Sequence, residues 1–136
     1  MIKEIIKDIN KLNKKASLCT NSDLKYALDL KDTLNVHKHE CVGMALNMIG
    51  INKAMIIVTL KDEDLVMVNP RIINKKNPYF AEESCLSLSY SSKVIRYQEI
   101  EVEYYDTSMK KHRTIYKDYP AQIIQHECDH LKGIII

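Results

Sequence analysis

The chain has 136 residues, 46% of them hydrophobic and 28% charged, which predicts one globular domain over residues 1–136. The formal net charge is only +2 and both signs are mixed along the chain, so the composition predicts no specific nucleic-acid binding. No apolar run is long enough to cross a membrane and the N-terminus lacks the apolar core of a signal peptide, so we expect a cytoplasmic protein with reduced cysteines.

The N-terminal part of the chain is predicted to be helical. Apolar residues recur at helical spacing in residues 1–15, which predicts a first amphipathic helix. Thr20 and Asp23 form a capping-box pattern, so a second helix is expected to follow and to end near Val36. The residues that it is expected to bury are Leu24, Ala27, Leu28 and Leu34. Beyond it, His37 and His39 are interpreted as surface residues rather than metal ligands.

The middle of the chain is predicted to form strands. The apolar segment 41–50 contains two glycines, which indicates either a buried connector or a close approach to another part of the chain. Pro70 is expected to end a strand, residues 71–73 to continue as an edge strand and residues 75–78 to form a loop. Alternation of Cys85 with polar neighbours indicates a further extended segment over residues 83–89. The main predicted strands are residues 54–59, 65–69, 94–96, 99–105 and 110–116.

These strands outnumber the helices. The last two are expected to pair across a turn at residues 106–108. We therefore predict an α+β fold in which antiparallel sheets pack around a C-terminal helix.

The strongest chemical signal is the H-E-x-x-H pattern of residues 126–130. Pro120 is a favoured helix start and Gly133 a stop, so the pattern falls on a helix. Two histidines four residues apart then share one face and can bind one metal ion, while Glu127 can take a proton from a metal-bound water. The alternative is an accidental spacing of two ordinary histidines, which the helical context makes less favourable.

A catalytic site of this type has three protein ligands and an open position. Only residues 131–136 follow the pattern, so the third ligand is expected upstream. The four cysteines show no C-x-x-C pair, and each is by default a small buried hydrophobe. One of them is a candidate for the missing ligand: Cys19, Cys41, Cys85 or Cys128.

Three stretches, in the same order and covering nearly the whole chain, resemble the motifs of the peptide deformylase family. In that family they read G-x-G-x-A-A-x-Q, E-G-C-L-S and Q-H-E-x-D-H, and here they are residues 41–48, 83–87 and 125–130. The resemblance implies a metal-dependent hydrolase that removes the formyl group from the N-terminal formyl-methionine of newly made polypeptides. It also implies that residues 1–15 are extended and irregular rather than helical. The implied partners are a formylated nascent peptide and, transiently, the ribosome.

The resemblance assigns roles residue by residue. The metal ligands would be Cys85, His126 and His130, which suit one Fe²⁺ or Zn²⁺ ion. Glu127 would handle the proton, first at the attacking water and then at the freed amine. The positions implied for oxyanion or substrate binding are Gly43, Met48 and Leu86, the last through its backbone N–H.

Three departures from the family pattern bear on the chemistry, and a fourth is Leu46, which replaces the second alanine of the first motif. Cys41 replaces the first glycine of the first motif, and Ser84 replaces the glycine of the second. Met48 replaces a glutamine whose side chain donates to the oxyanion. A thioether cannot donate, and losing one such donor costs about 10²–10³-fold in kcat. Asn47 is an amide donor one residue earlier, and it would point elsewhere unless Leu46 shifts the loop.

Three further residues near the last motif have open interpretations. Asp129 pairs either with Arg96, which would orient the helix, or forms a plain exposed salt bridge. Gln125 either bonds the second motif or faces solvent. Cys128 is expected to pack away from the histidine face.

A deformylase is the favoured function, because a structural metal site has no need of Glu127. One alternative is a protein of the same fold that binds metal and peptide N-termini without turnover, which the three departures would explain. The other is a metallopeptidase that cleaves internal bonds, against which a cysteine ligand argues.

Overall fold

A computed structural model describes residues 1–61, 63–85 and 91–134. Its strands form a five-stranded antiparallel sheet in the order β1-β2-β3-β4-β5, which confirms the predicted α+β class. The strands are β1 (Gly43–Ala45), β2 (Met55–Leu60), β3 (Glu63–Glu83), β4 (Ser92–Tyr105) and β5 (Lys111–Lys117). The helices are α1 (Ile9–Leu12), α2 (Tyr26–Val36) and α3 (Asp118–Leu131), with 3-10 helices at Asn21–Asp23 and Leu46–Ile49.

The helix predicted for the first fifteen residues is wrong, because only the short α1 forms there. The chain before α1 lies against two other elements. The N–H of Lys3 donates to Thr33 Oγ1 at 2.8 Å, and the N–H of Ile6 donates to Met48 O at 2.7 Å. Tertiary partners therefore satisfy backbone donors that a helix would otherwise have used, and residues 1–8 have no regular secondary structure, in agreement with the irregular arm that the resemblance implies.

The predicted capping box is confirmed, and it begins the 3-10 helix that precedes α2. The N–H of Thr20 donates to Asp23 Oδ2 at 2.8 Å. Helix α2 ends at Val36, as predicted. Satisfying the first N–H groups of a helical segment in this way fixes where the segment starts.

The burial predicted for α2 is partly right. Ala27 and Leu34 are buried, and Leu24 packs against the core. Leu28 is 61% exposed, and Leu30, which is fully buried, takes its place in the core. Residues 27, 30 and 34 share one helical face, and residue 28 is turned about 100° away from it.

Strand β3 is longer than the sequence predicts. It runs through Pro70, and residues 75–78 belong to it rather than to a loop. Register shifts between Val68 and Arg71 mark a bulge at the first proline. Among the described residues, residues 63–68 are the part of β3 that pairs with β2. The rest of β3 pairs with β4 alone. Proline has no N–H to donate, and this costs no sheet hydrogen bond on the side of a strand that has no neighbour.

The later strands agree better with the predictions. Residues 94–96 and 99–105 are parts of the single strand β4. Strand β5 pairs with it across a turn in which Asp106 Oδ1 accepts from the N–H groups of Ser108 and Lys110. Of the extended segment predicted over residues 83–89, residues 86–89 lie outside the described part.

Helix α3 packs on the sheet and carries the H-E-x-x-H pattern. It begins at Asp118, two residues before the predicted start at Pro120. Gly133 follows it with a φ of +80°, as expected of a stop. Its buried apolar face joins the core formed by β1, β2 and β4. Within the described residues, we find no helix with both the length and the apolar composition that a membrane crossing requires.

Candidate active site

Helix α3 brings the residues of the H-E-x-x-H pattern into the protein interior. His126, Glu127 and His130 are 8%, 4% and 2% exposed. Gln125 fixes the helix to β4, because its amide donates to Tyr97 O at 2.8 Å and accepts from Tyr97 N at 2.9 Å. Its partner is therefore β4, neither the second motif nor solvent. Cys128 is buried in the core, where burial raises the pKa of its thiol to about 12.

The structure brings together the three side chains expected to be metal ligands. One ligand atom from each of Cys85, His126 and His130 can be chosen so that all lie within 4.8 Å of one another. The two Nε2 atoms of the histidines are 3.1 Å apart. The described residues thus contain a group that could hold one metal ion, with Cys85 contributed from the chain after β3 and both histidines from α3.

A buried network of ion pairs and hydrogen bonds contacts this group at His126. Glu83 Oε1 lies 2.8 Å from His126 Nδ1, and Arg96 Nη2 donates to the same oxygen at 2.6 Å. Gln122 Nε2 donates to Glu83 Oε2 at 2.9 Å. On its other side, Arg96 Nη1 donates to Asp129 Oδ2 at 2.6 Å. Arg96 is only 4% exposed, so the Arg96–Asp129 pair ties the sheet to α3 and is not a plain exposed salt bridge.

The contact of Glu83 with His126 is not predicted by the sequence. A carboxylate that accepts from Nδ1 fixes the orientation of a ligand histidine and leaves Nε2 to face the metal. The available signal was its position two residues before Cys85, since alternate residues of an extended segment lie on the same side.

The electrostatics of the group follow from burial and these contacts. Burial alone would raise the pKa of Glu83, but hydrogen bonds from His126 and Arg96 outweigh it and hold the pKa at about 2. Burial also opposes the charge of His126, yet its hydrogen bonds to Cys85 and Glu83 raise its pKa to about 10. Burial and the neighbouring His126 lower the pKa of His130 to about 3. A neutral imidazole is the form that binds a metal, so His130 is already in that form, whereas an ion bound by His126 would displace a proton from its ring.

Glu127 packs against β1. A methyl group placed on Gly43 would lie only 2.8 Å from Glu127 Oε2 and 3.0 Å from Ile123 Cγ2. The close approach predicted for the glycine-containing segment is therefore real, and its partner is Glu127. Burial raises the pKa of Glu127 to about 7, and its Oε1 is buried without a hydrogen-bond partner among the described residues.

The first motif forms β1 and the following 3-10 helix beside the cavity. Met48 is 1% exposed, lines the cavity, and accepts from the N–H of Ala45 through Sδ at 3.4 Å. Asn47 points elsewhere, as expected, because its amide donates to His130 O at 2.7 Å. The thiol of Cys41 donates to Gly43 O at 2.8 Å.

The second motif is described only in part. Ser84 is exposed and lines the cavity together with Cys85. Leu86, expected to contribute a backbone donor, lies outside the described residues.

The residues present fit a divalent transition-metal ion. One sulfur and two imidazole nitrogens are a donor set that both Fe²⁺ and Zn²⁺ accept, and Glu83 supplies the carboxylate partner that such histidines have. The unsatisfied Glu127 Oε1 is the kind of buried polar atom that needs a further partner, such as a water molecule or a substrate. The adjoining cavity has a volume of about 660 Å³.

Comparison with known proteins identifies the family. The polypeptide deformylase family model matches residues 2–136. The chain belongs to the polypeptide deformylase family. It is 46% identical over 136 residues to a peptide deformylase of Clostridium beijerinckii, with both chains fully covered. It is also 37% identical over 109 residues to peptide deformylase 3 of Shewanella oneidensis, covering 77% of this chain and 66% of the relative.

Solved deformylase structures share the fold. A class I type b peptide deformylase from Acinetobacter baumannii superposes with a TM-score of 0.89 at 27% identity, covering 99% of this chain and 96% of the other. The Thermotoga maritima peptide deformylase gives a TM-score of 0.89 at 26% identity, with 99% and 95% covered. The expected reaction, removal of an N-terminal formyl group, agrees with this membership, and the alternative without turnover is not favoured.

Proposed function

We propose that this deformylase hydrolyses the N-terminal formyl group of nascent polypeptides with one Fe²⁺ or Zn²⁺ ion held by Cys85, His126 and His130. The observation that carries the proposal is that one ligand atom from each of these three side chains lies within 4.8 Å of the other two. Glu127, which follows His126 directly in the sequence, is the acid–base group. Because the substrates are newly made polypeptides, we propose that the reaction takes place in the cytoplasm. A transient contact with the ribosome stays a prediction.

Hydrolysis adds water across the formyl C–N bond, giving formate and a free amine. An ion at this group would supply Lewis-acid polarisation of the formyl oxygen and would activate the attacking water. Glu127 then takes a proton from that water and delivers it to the leaving nitrogen as the C–N bond breaks. Its raised pKa of about 7 suits a group that both accepts and donates a proton near neutral pH.

The remaining residues hold this arrangement. Glu83 fixes the ring of His126 through Nδ1, and Gly43 leaves room for the Glu127 carboxylate against β1. Packing around Glu127 excludes bulk water from the proton transfer. Met48 stands where a side-chain donor would assist the oxyanion, so we propose that turnover is slower than with glutamine at this position.

The test combines metal analysis and a formate assay on one anaerobically purified sample. The wild type should contain about one equivalent of iron or zinc and should release formate from a formyl-Met peptide. Glu127→Gln keeps the size of the side chain and removes its proton chemistry, so it should keep the metal and lose about 10²–10⁴-fold in kcat. Wild-type activity no higher than that of metal-loaded Glu127→Gln would refute the proposal.

A second pair of variants tests the ligand set. Cys85→Ser should lose bound metal, whereas Cys128→Ser, at a buried cysteine outside the group, should keep it. Equal metal content in the two variants would contradict the assignment of Cys85.

A further inference from the structure

The first motif contacts helix α3 at two points one turn apart. Gly43 approaches Glu127 so closely that a methyl group there would lie 2.8 Å from Oε2. Further along α3, the carbonyl of His130 accepts from Asn47 Nδ2 at 2.7 Å. Residues 127 and 130 lie on the same side of the helix, because a helical turn takes about 3.6 residues. The segment from β1 to the second 3-10 helix therefore fixes the position of α3 along its length.

The last turn of α3 takes hydrogen-bond donors from distant parts of the chain. His130 is the last residue but one of the helix, and the carbonyl groups of a last turn have no partners within the helix. The carbonyl of His130 accepts from the N–H of Gly133 at 3.0 Å as well as from Asn47. The next carbonyl, that of Leu131, accepts from the N–H of Ala16 at 2.8 Å. Asn47 is thus the side chain that ties His130 itself to the first motif.

The two histidines of the proposed ligand set are held differently. Glu83 Oε1 lies 2.8 Å from His126 Nδ1 and fixes the orientation of that ring. In the described part of the chain, no carboxylate oxygen lies within 4.0 Å of a ring nitrogen of His130. The Nε2 atom of His130 lies 3.1 Å from that of His126. The placement of the His130 ring therefore depends on how its backbone is held.

The side chain of Asn47 is an expensive choice for stability alone. Asn47 is 3% exposed, and its Oδ1 is buried without a hydrogen-bond partner among the described residues. A buried polar atom without a partner destabilises the folded state, and an apolar side chain of similar size avoids that cost. Holding the carbonyl of His130, in contrast, requires a donor. The amide therefore fits a role in placing the helix better than a role in filling the core.

We propose that Asn47 is a positioning residue that holds the metal ligand His130 through its backbone carbonyl, as Glu83 holds His126 through its ring. This inference rests on the proposed function, because it takes His130 as a ligand. Asn47 is not among the described residues that line the active-site cavity, so its effect on catalysis passes through the ligand and not through the substrate. One net hydrogen bond changes an equilibrium by about 2- to 10-fold.

The test uses Co²⁺ as the bound ion, because its visible absorption reports the geometry of its ligands. Asn47→Leu removes both the donor and the unsatisfied oxygen at a similar side-chain size. It should raise the Kd for Co²⁺ about 2- to 10-fold in chelator competition and shift the absorption bands of the bound ion. Formate release from a formyl-Met peptide should show a kcat lower by a similar factor and a KM within about twofold of the wild type. The urea midpoint of the metal-free variant should not fall.

Asn69→Ala is the matched control. The amide of Asn69 also bonds a distant backbone, because it donates to the carbonyl of Cys19 at 3.1 Å and accepts from the N–H of Cys19 at 2.7 Å. Neither residue is part of the described cavity lining. Asn69→Ala should lower the urea midpoint and leave the Co²⁺ spectrum, the Kd and kcat unchanged. The two variants therefore separate the placement of the ligand from the stability of the fold.

Asn47→Ala, which cannot overpack the site, should change the Co²⁺ affinity and spectrum in the same direction as Asn47→Leu. Wild-type affinity and spectrum in Asn47→Leu, an equal loss of affinity in Asn69→Ala, or failure of both Asn47 variants to fold would overturn the inference while leaving the proposed function intact. A wild-type protein that neither binds Co²⁺ nor releases formate would overturn the proposed function and this inference with it.

Discussion

The contact between Gly43 and Glu127 predicts that Gly43→Ala impairs catalysis more than folding. The added methyl group would lie 2.8 Å from Glu127 Oε2, whereas ordinary contacts begin at 3.4 Å. The carboxylate must therefore move by about 0.6 Å, because the neighbouring Ile123 Cγ2 is already at 3.0 Å and leaves no other room. Glu127 is 4% exposed and cannot swing into solvent.

Two magnitudes follow for Gly43→Ala. Overpacking of a buried site costs about 1–3 kcal/mol of unfolding free energy. Misplacing a catalytic group by a fraction of an ångström should cost about 10–100-fold in kcat, since a shift of about 1 Å can cost 10²-fold. The assay is formate release by the metal-loaded protein, with the free energy of unfolding measured by urea denaturation on the same preparation.

Gly50→Ala is the control for the loss of stability. Gly50 has a φ of +90°, and a methyl group there would meet nothing closer than Ile6 Cδ1 at 3.8 Å. The left-handed conformation should cost about 1–2 kcal/mol without pressing on Glu127. A folded Gly43→Ala with kcat within twofold of the wild type would refute the reasoning. An equal loss of kcat in Gly50→Ala would show that the loss follows from stability alone.

Three further predictions concern the groups around the proposed metal ligands. Met48→Gln should raise kcat by up to about 10²–10³-fold by restoring an oxyanion donor, whereas Met48→Leu should not; equal rates for the two would contradict this. Glu83→Gln should cost about 3–5 kcal/mol in urea denaturation, because it leaves the buried Arg96 undercompensated, and should weaken metal binding about 10–100-fold in chelator competition. Glu101→Gln, at an exposed ion pair, should change neither quantity appreciably. Metal added at about 100 times its Kd should stabilise the apoprotein by about 2.7 kcal/mol in calorimetry, and a Cys85→Ser variant with the same shift would argue against that ligand.

Local patterns predicted the parts of the fold whose partners are near in sequence. The capping box before α2, the turn at Asp106 and the helix that carries His126 and His130 all depend on residues within a few positions of one another. The site could be assembled only through the family resemblance, because nothing local relates Cys85 to residues forty positions later.

The errors have tertiary causes. The N-terminal apolar pattern suits a helix, but the N–H of Ile6 donates to the carbonyl of Met48, and residues 1–8 form no helix. The sequence predicts a strand end at Pro70, but β3 continues past it because that stretch pairs with β4 alone in the described residues. The sequence does not predict the ion pair of Glu83, because its partner Arg96 belongs to a different strand.

The stretch of β3 after Val68 has a consequence for association between molecules. An unpaired strand side is a template on which other chains can add and begin to aggregate. Here two prolines, Pro70 and Pro78, remove backbone donors, and the exposed Lys75 and Lys76 place a positive charge on each face of the strand. The prolines and lysines that favour a loop in the sequence are therefore also residues that oppose the pairing of this strand with other copies of the chain.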